Sequence, residues 1–183
     1  MPEPDLRPGY AFDDDTYDGS ATGGNLINGL GQLTDGIIGH TNYRFTPSNL
    51  QPGYEWVGWK NTTHPNPELR FEFDEQRNFT AVKFYLNNFF SKDVELPKSI
   101  ECVFGLEENA YSRTTVEQTV RTDRVHDEAR FVMVELERRI AQYIKCTLYH
   151  RNTWILISEI SFESGKLERD ALLSRLCIKQ HVS

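Results

Sequence analysis

Apolar and polar residues alternate in short runs along the central part of the chain. Residues 70–74 read Arg-Phe-Glu-Phe-Asp, the period-two alternation that is typical of a strand with one buried face. Residues 79–86 are apolar at most positions, which indicates a strand buried on both faces. Further runs of this kind occupy 99–104, 129–136, 141–149 and 154–162. Runs at this density, separated by turn residues, predict an all-β sandwich or barrel.

The two ends of the chain depart from this pattern. Residues 1–11 are rich in proline and charge and predict a leading arm or linker. In the tail, residues 165–183, apolar residues fall on one face of a helix with charges between them, so this segment allows one short amphipathic helix. With 183 residues, 38% of them hydrophobic, the chain is long enough for one domain with a substantial core.

Charge and motif content exclude several classes of function. The net charge of −7 argues against nucleic acid and anionic membrane surfaces as partners, and favours cations or basic partners instead. No apolar run approaches the roughly 18 residues of a membrane span, and the first residues lack the pattern of a secretory signal peptide. The five histidines lack the spacing of a catalytic metal motif, and no G-x-S-x-G nucleophile elbow is present. We therefore predict that the chain is not an enzyme.

A glycine-rich stretch is the clearest candidate for a binding loop. Residues 29–39 read Gly-Leu-Gly-Gln-Leu-Thr-Asp-Gly-Ile-Ile-Gly, so tight turns alternate with apolar anchors, and Gln32 and Asp35 supply side-chain oxygens. Three successive aspartates, beginning at Asp13, precede it. Both stretches fit solvated turns. They also fit a calcium site, because calcium takes about six to eight oxygen ligands and backbone carbonyls count among them.

Cysteines and sequons bear on the compartment. Cys102 and Cys146 each lie within a strand-like run, where they fit either a disulfide between neighbouring strands or two buried free thiols. Cys177, in the tail, has no evident partner. The N-x-[ST] sequons at Asn61 and Asn78 favour glycosylation and passage through the secretory route.

Short motifs follow one another in a specific order along most of the chain. They are 17–19 (Tyr-Asp-Gly), 29–36 (Gly-Leu-Gly-Gln-Leu-Thr-Asp-Gly), 52–54 (Pro-Gly-Tyr), 57–59 (Val-Gly-Trp), 71–74 (Phe-Glu-Phe-Asp), 87–88 (Asn-Asn), Cys102, Cys146 and 158–162 (Ser-Glu-Ile-Ser-Phe). Together they resemble the discoidin-like domain, the second extracellular domain, of the discoidin domain receptors, which are collagen-activated receptor tyrosine kinases. The resemblance covers residues 12–164.

The resemblance implies a fold and a set of site residues. The fold would be all-β, a discoidin-type jelly-roll barrel or sandwich like that of galactose-binding domains, with a disulfide between Cys102 and Cys146. A structural calcium ion would be held by Asp13, Gln32, Asp35, the Ile37 main chain, Tyr54, Trp56, Ser158 and Glu159. Asp13, Asp35 and Glu159 would supply carboxylates, whereas Ile37 and Trp56 offer only backbone carbonyls.

The resemblance also implies a function. The chain would be a calcium-stabilised extracellular module of a plasma-membrane receptor that positions the preceding discoidin domain, its partner, and modulates receptor activation. Contact with collagen would be indirect, and the chain itself would not insert into the membrane. The alternative is a carbohydrate- or phospholipid-binding module of a secreted or soluble protein, in which exposed aromatic residues would contact the ligand. The candidates for that contact are Tyr43, Phe45, Phe89 and Phe90.

Overall fold

The computed structural model describes residues 20–22, 25–27, 33–34, 36–45, 55–63 and 65–167. Within these residues the secondary structure is strand, apart from one 3-10 turn at Phe90–Lys92. The strands are β1 (Ser20–Thr22), β2 (Asn25–Ile27), β3 (Val57–Lys60), β4 (Glu68–Leu86), β5 (Ser99–Glu107), β6 (Ala110–Thr119), β7 (Arg130–Tyr149) and β8 (Trp154–Lys166). The all-β prediction is therefore confirmed.

The strands form two antiparallel sheets. Strands β1 and β2 make a two-stranded hairpin, and the other strands make a six-stranded sheet in the order β3-β8-β4-β7-β5-β6. The long strands β4 and β7 pair along most of their length, from Glu68 opposite Thr147 to Leu86 opposite Arg130. Strand β8 lies between β3 and β4, so its residues border both the centre and one side of this sheet.

Two pairs of predicted strands are in fact single, irregular strands. The runs 70–74 and 79–86 both belong to β4, and the runs 129–136 and 141–149 both belong to β7. The pairing of β4 with β7 shifts register between Glu72 and Arg77 and again between Phe79 and Ala81. At the second shift, Glu137 and Arg138 of β7 take left-handed conformations, with φ of 54° and 59°. Bulges of this kind interrupt the alternation without ending the strand.

The buried face of the sheet carries the main core. Its fully buried side chains include Trp59, Phe79, Phe84 and Leu148. A smaller cluster comprises Tyr43, Trp56, Val94, Trp154 and Leu156 and lies beside the loop that precedes β3. Each fully buried apolar side chain contributes about 1.5–3 kcal/mol relative to an exposed one. The periodicity of the sequence thus accounts for most of the sheet.

The disulfide implied by the resemblance lies inside this core. Cys102 of β5 and Cys146 of β7 face each other in register, with their Cα atoms 4.2 Å apart, and their sulfur atoms are bonded. Both residues are fully buried. The bridge therefore joins strands that already pair through their backbones, and it closes 44 residues of sequence.

The sheet extends slightly into the tail, whose sequence allows a short helix. Strand β8 continues through Gly165 and Lys166, so the first residues of the tail are in a strand. The remainder of the predicted helix, residues 168–183, and the leading arm lie outside the described residues. Cys177 belongs to that remainder.

Candidate functional site

Residues 33–34 and 36–45, called here the docked loop, are attached to strand β8 by hydrogen bonds. The Ile160 amide donates to the Leu33 carbonyl at 2.7 Å. The Gly36 amide donates to Glu159 Oε2 at 3.0 Å. The Gly39 amide donates to the hydroxyl of Ser158 at 2.7 Å. Successive residues of one strand therefore bind the docked loop at three points.

The Ser158 hydroxyl connects two parts of the docked loop. It accepts from Gly39 and also lies 3.2 Å from the Ile37 carbonyl oxygen, to which it donates. Ser158 is fully buried and Glu159 is 8% exposed. Because a hydroxyl both donates and accepts, this one side chain bonds two backbone groups of the docked loop.

A second set of contacts comes from the residues just before β3. The Trp56 indole donates to the His40 carbonyl at 3.1 Å, and the His40 amide lies 3.4 Å from Glu55 Oε2. Gly39 fits between Trp56 and Ser158 so closely that an added Cβ would lie 2.6 Å from the indole ring and 2.9 Å from the hydroxyl oxygen. Only glycine allows this approach.

Strand β4 completes the attachment at the far end of the docked loop. Asn87, immediately after β4, donates to the Thr41 carbonyl at 3.0 Å. Partial burial raises the pKa of the Tyr85 phenol, and a hydrogen bond to the Thr41 side chain offsets part of that rise. The Tyr85 ring stacks on Trp56 at 5.8 Å between centroids. The docked loop is thus held by three separate segments of the chain.

The structure brings together the predicted calcium ligands that it describes. Ile37, Ser158 and Glu159 meet where the docked loop contacts β8, and Trp56 packs beside them against Gly39. The other predicted ligands, Asp13, Gln32, Asp35 and Tyr54, lie outside the described residues. Within the part of the chain that is described, no group of three or more His, Cys, Asp or Glu side chains is arranged to hold a metal ion.

The chemistry of this region suits a hard cation. Ile37 and Trp56 have backbone carbonyls, Ser158 has a hydroxyl and Glu159 has a carboxylate, and calcium prefers oxygen ligands of these kinds. Glu55 is only 6% exposed and forms no ion pair with a Lys or Arg of the described residues. A buried carboxylate without a cationic partner is costly. A nearby cation would lower that cost, so the residues present fit the implied ion.

Sequence reasoning missed Glu55, Gly39 and Asn87 as residues that hold this region. Glu55 lies in a run whose tryptophans dominate the pattern, and nothing in the pattern signals that its carboxylate is buried. The close approach at Gly39 depends on Trp56 and Ser158, which are distant in sequence. Two signals were available. The glycine-rich composition of 29–39 indicated a constrained loop without its partners, and the Asn-Asn pair at 87–88 entered only as part of the family resemblance.

The aromatic residues of the alternative binding hypothesis do not share one exposed surface. Tyr43 is 3% exposed and packs edge-on against Phe89, with ring centroids 5.7 Å apart. Phe90 is half-buried in the 3-10 turn. Phe45 is 52% exposed and contacts His40. One of the four side chains is therefore openly available, and the others pack within the domain.

The two sequons lie in different environments. Asn61 is exposed in the turn after β3, where its backbone amide donates to the Thr153 carbonyl. Asn78 lies inside β4, is half-buried, and its side-chain oxygen is buried without a hydrogen-bond partner. A transferred glycan needs an exposed amide nitrogen, so Asn61 is the more accessible acceptor.

A separate loop near the start of β7, residues 120–129, is also organised by a carboxylate. Asp123 accepts from the amides of Val125 and His126 and forms an ion pair with Arg130. These contacts, the Val125 amide first and the arginine next, lower the pKa of Asp123 to about 2. Asn88 donates to the backbone carbonyls of Asp123 and His126 and fixes the same loop to the end of β4.

Comparison with known proteins places the chain in a wider context. A family model described as Discoidin domain-containing receptor 1/2, DS-like domain, matches residues 3–164. The chain is 35% identical over 163 residues to the human epithelial discoidin domain-containing receptor 1, covering 87% of this chain and 18% of that protein. It is 30% identical over 182 residues to discoidin domain-containing receptor tyrosine kinase B of Caenorhabditis elegans, covering 98% of this chain and 22% of the relative.

A solved structure supports the fold independently of sequence. The C-terminal domain of a chitobiase from Bacteroides fragilis superposes with a TM-score of 0.51 at 12% identity, covering 75% of this chain and 80% of that domain. At this identity the likeness shows the fold alone, a discoidin-like jelly roll. The chain spans less than a quarter of the receptors that it matches. Among the described residues, no helix has the length and apolar character needed to cross a bilayer.

Proposed function

The chain belongs to the discoidin-like domain family of the discoidin domain receptors, and from this membership we propose that it is a calcium-stabilised extracellular module of a collagen receptor tyrosine kinase. The family match over residues 3–164 carries the proposal. The matched domain is a non-catalytic module, so the work of the chain is structural. In the receptor it would position the preceding discoidin domain and modulate activation.

The proposed calcium site rests on the fit described above. The ion would be held by oxygens of Asp13, Gln32, Asp35, Ile37, Tyr54, Trp56, Ser158 and Glu159. When bound, it would supply positive charge that neutralises carboxylates and links segments distant in sequence. Supporting evidence comes from the contact of the docked loop with Ser158 and Glu159, and from the buried carboxylate of Glu55, which has no Lys or Arg partner among the described residues.

Thermal unfolding of the oxidised protein with calcium, and then with excess chelator, tests the proposed ion. A ligand at about 100 times its Kd stabilises the folded state by about 2.7 kcal/mol. For a domain of this size that corresponds to a Tm about 5–10 °C higher. The Asp35→Ala variant should lose this calcium-dependent rise. Glu163→Gln is a matched control, because Glu163 lies on the same strand as Glu159 and pairs with Lys83 instead.

Each outcome of the unfolding experiment has a distinct meaning. A chelator effect in the wild type and in Glu163→Gln, absent in Asp35→Ala, supports the site. Magnesium demands a tighter octahedral shell than calcium, so a calcium-selective site should respond more weakly to magnesium. An equal response to both ions would indicate a divalent-cation site that is not selective for calcium. An unchanged Tm in all samples would contradict the calcium proposal and leave the family assignment intact.

The proposal also predicts what the isolated chain does not do. The resemblance assigns collagen contact to the preceding discoidin domain, so this chain alone should show no appreciable binding in a solid-phase collagen assay. A parent ectodomain that contains both domains is the positive control. Tight, saturable binding by the isolated chain would contradict the indirect role in collagen recognition.

Its role in the receptor can be tested in the parent protein. Asp35→Ala and Glu163→Gln would each be introduced into the full-length receptor, and collagen-induced tyrosine phosphorylation would be measured at matched surface expression. We expect Asp35→Ala to change the response and Glu163→Gln to leave it unchanged. Equal responses from both variants would indicate that the ion stabilises the domain without affecting activation.

A further inference from the structure

The outward face of strands β4, β7, β5 and β6 carries an aligned row of side chains. Tyr143 of β7 lies opposite Gly105 of β5 and Glu72 of β4, and Gly105 in turn lies opposite Tyr111 of β6. The next residue of β7, Ile144, is fully buried on the opposite face. Since successive side chains of a strand point to opposite faces, the row of Tyr111, Tyr143 and Glu72 faces solvent.

A glycine, Gly105, lies between the two tyrosines in this row. A Cβ at Gly105 would lie 2.8 Å from the Ala110 carbonyl oxygen, so the β5–β6 hairpin closes tightly on it. The row borders a cavity of about 70 Å³, called here the tyrosine slot, whose lining includes Arg70, Glu72, Glu108, Asn109, Tyr111 and Tyr143. Pockets for drug-sized ligands are about 300–1,000 Å³. The slot therefore matches one side-chain head group.

The charges around the slot leave a negative excess. Arg70 and Lys145 both contact Glu68, at 3.8 Å and 3.0 Å. Glu72 accepts a hydrogen bond from the Tyr143 hydroxyl at 3.2 Å, and Glu108 contacts the Asn109 amide at 3.4 Å. Neither Glu72 nor Glu108 forms an ion pair with a Lys or Arg of the described residues. Three carboxylates and two cations leave one negative charge, which a single cationic group would neutralise.

The aromatic rings provide the second element of cation recognition. The Lys145 ammonium already lies 5.5 Å from the centroid of the Tyr111 ring, so one ring of the slot is positioned for a cation–π contact. Desolvation raises the pKa of the Tyr143 phenol, and the nearby charges of Glu72 and Glu108 raise it further. The hydroxyl of Tyr143 thus stays protonated as a donor to Glu72 at neutral pH.

We propose that the tyrosine slot binds an arginine or lysine side chain presented by a partner polypeptide. Tyrosine faces attract a cation, and the carboxylates of Glu72 and Glu108 supply opposite charge. Arginine should be favoured over lysine, because its planar guanidinium stacks on a ring and binds a carboxylate through two hydrogen bonds. The site lies on the sheet face, apart from the docked loop, and does not depend on the proposed calcium ion.

The slot can be tested by NMR titration of the full chain with blocked tripeptides. Acetyl-Gly-Arg-Gly-amide should shift the amide signals of Gly105, Asn109 and Tyr143 with a Kd on the order of millimolar, as expected of a single head group. The lysine peptide should bind more weakly, and the neutral peptide acetyl-Gly-Gln-Gly-amide should cause no saturable shift. Added salt should weaken the binding of the arginine peptide.

Variants separate specific docking from general electrostatics. The double variant Glu72→Gln, Glu108→Gln should weaken arginine binding by about fivefold or more. Tyr143→Phe, which retains the ring, should bind within about twofold of the wild type, whereas Tyr143→Leu should lose binding. Glu163→Gln removes one negative charge elsewhere on the sheet and should leave binding unchanged. Equal binding of the glutamine peptide, or unchanged binding by the double variant, would overturn the proposal.

Discussion

The six-stranded sheet is held by many buried apolar side chains and a disulfide, whereas the docked loop combines two buried apolar anchors, Leu33 and Tyr43, with individual polar contacts. In the sheet, loss of one apolar contact leaves many others. The backbone of the docked loop forms side-chain hydrogen bonds with Ser158, Glu159, Glu55 and Asn87. The attachment of the docked loop to the sheet therefore depends on few groups. A bound cation would stabilise this attachment more than it would stabilise the sheet.

This difference predicts a difference in local stability. Segments with few buried apolar contacts open at lower free energy than core strands, and hydrogen exchange reports that opening residue by residue. Amides of the docked loop should exchange faster than those of β4 and β7. The following predictions disturb one part of the molecule while monitoring the other, and they run from the largest expected effect to the smallest.

Removing the disulfide should produce the largest change. The double variant Cys102→Ala, Cys146→Ala opens a 44-residue loop. The chain-entropy estimate for a loop of this length is a loss of about 4 kcal/mol in the free energy of unfolding. Urea unfolding would measure it, with both proteins made in a Cys177→Ser background so that no free thiol exchanges with the bridge. A loss below about 1 kcal/mol would contradict the estimate and assign sheet stability to packing alone.

Placing a methyl group at Gly39 should detach the docked loop while leaving the sheet folded. In Gly39→Ala the new Cβ would clash with the buried Trp56 ring and the Ser158 hydroxyl. Overpacking of this kind costs about 1–3 kcal/mol. Hydrogen exchange should quicken across residues 36–45 and stay slow in β4 and β7.

A second glycine offers a matched control for that substitution. At Gly165, no atom lies within 4 Å of the position that an added Cβ would take, so Gly165→Ala should be nearly neutral. If Gly39→Ala accelerated exchange equally throughout the sheet, the docked loop and the sheet would form one cooperative unit. The contrast drawn above would then be wrong.

The sequence predicted the sheet better than it predicted the docked loop, and the physical reason is visible in particular residues. In β4, β5, β7 and β8, apolar and polar residues alternate because one face of the strand is buried, and this alternation can be seen in the local sequence. The sequence did not show that β4 and β7 are each one continuous strand, because a bulge such as Glu137–Arg138 interrupts the alternation in the same way as a turn between two strands. Strand β6 was missed because most of its side chains are exposed and its pattern is weak. Such a strand is specified by its pairing partner β5.

The contacts of the docked loop were accessible only through the family resemblance. Ser158 and Glu159 lie more than a hundred residues from Gly36 and Gly39, and no local pattern links a serine in a strand to a distant glycine amide. The tyrosine slot is similar, because Tyr111, Gly105 and Tyr143 align only through the register of three strands. Long-range register, which local sequence leaves open, therefore sets both sites.

The smallest predicted effect concerns loop 120–129, which is polar like the docked loop but whose carboxylate, Asp123, pairs with Arg130 at the start of β7. The pKa of Asp123 is lowered from its ordinary 3.8 to about 2, chiefly because the Val125 amide donates to the carboxylate and then because Arg130 pairs with it. Since the pKa is lower in the folded state, this carboxylate stabilises the fold above its ordinary titration range. The contribution disappears as pH falls through about 2.

Asp123→Asn should therefore lower the unfolding midpoint at neutral pH, and the gap from the wild type should shrink as pH falls toward 2. NMR titration of the carboxyl would measure its pKa directly. Arg130→Gln should raise that pKa only partly, because the Val125 amide remains as the larger cause. A wild-type carboxyl that titrated in its ordinary range would show that the loop opens freely. The ion pair between Asp123 and Arg130 would then hold loop 120–129 no more firmly than single hydrogen bonds hold the docked loop.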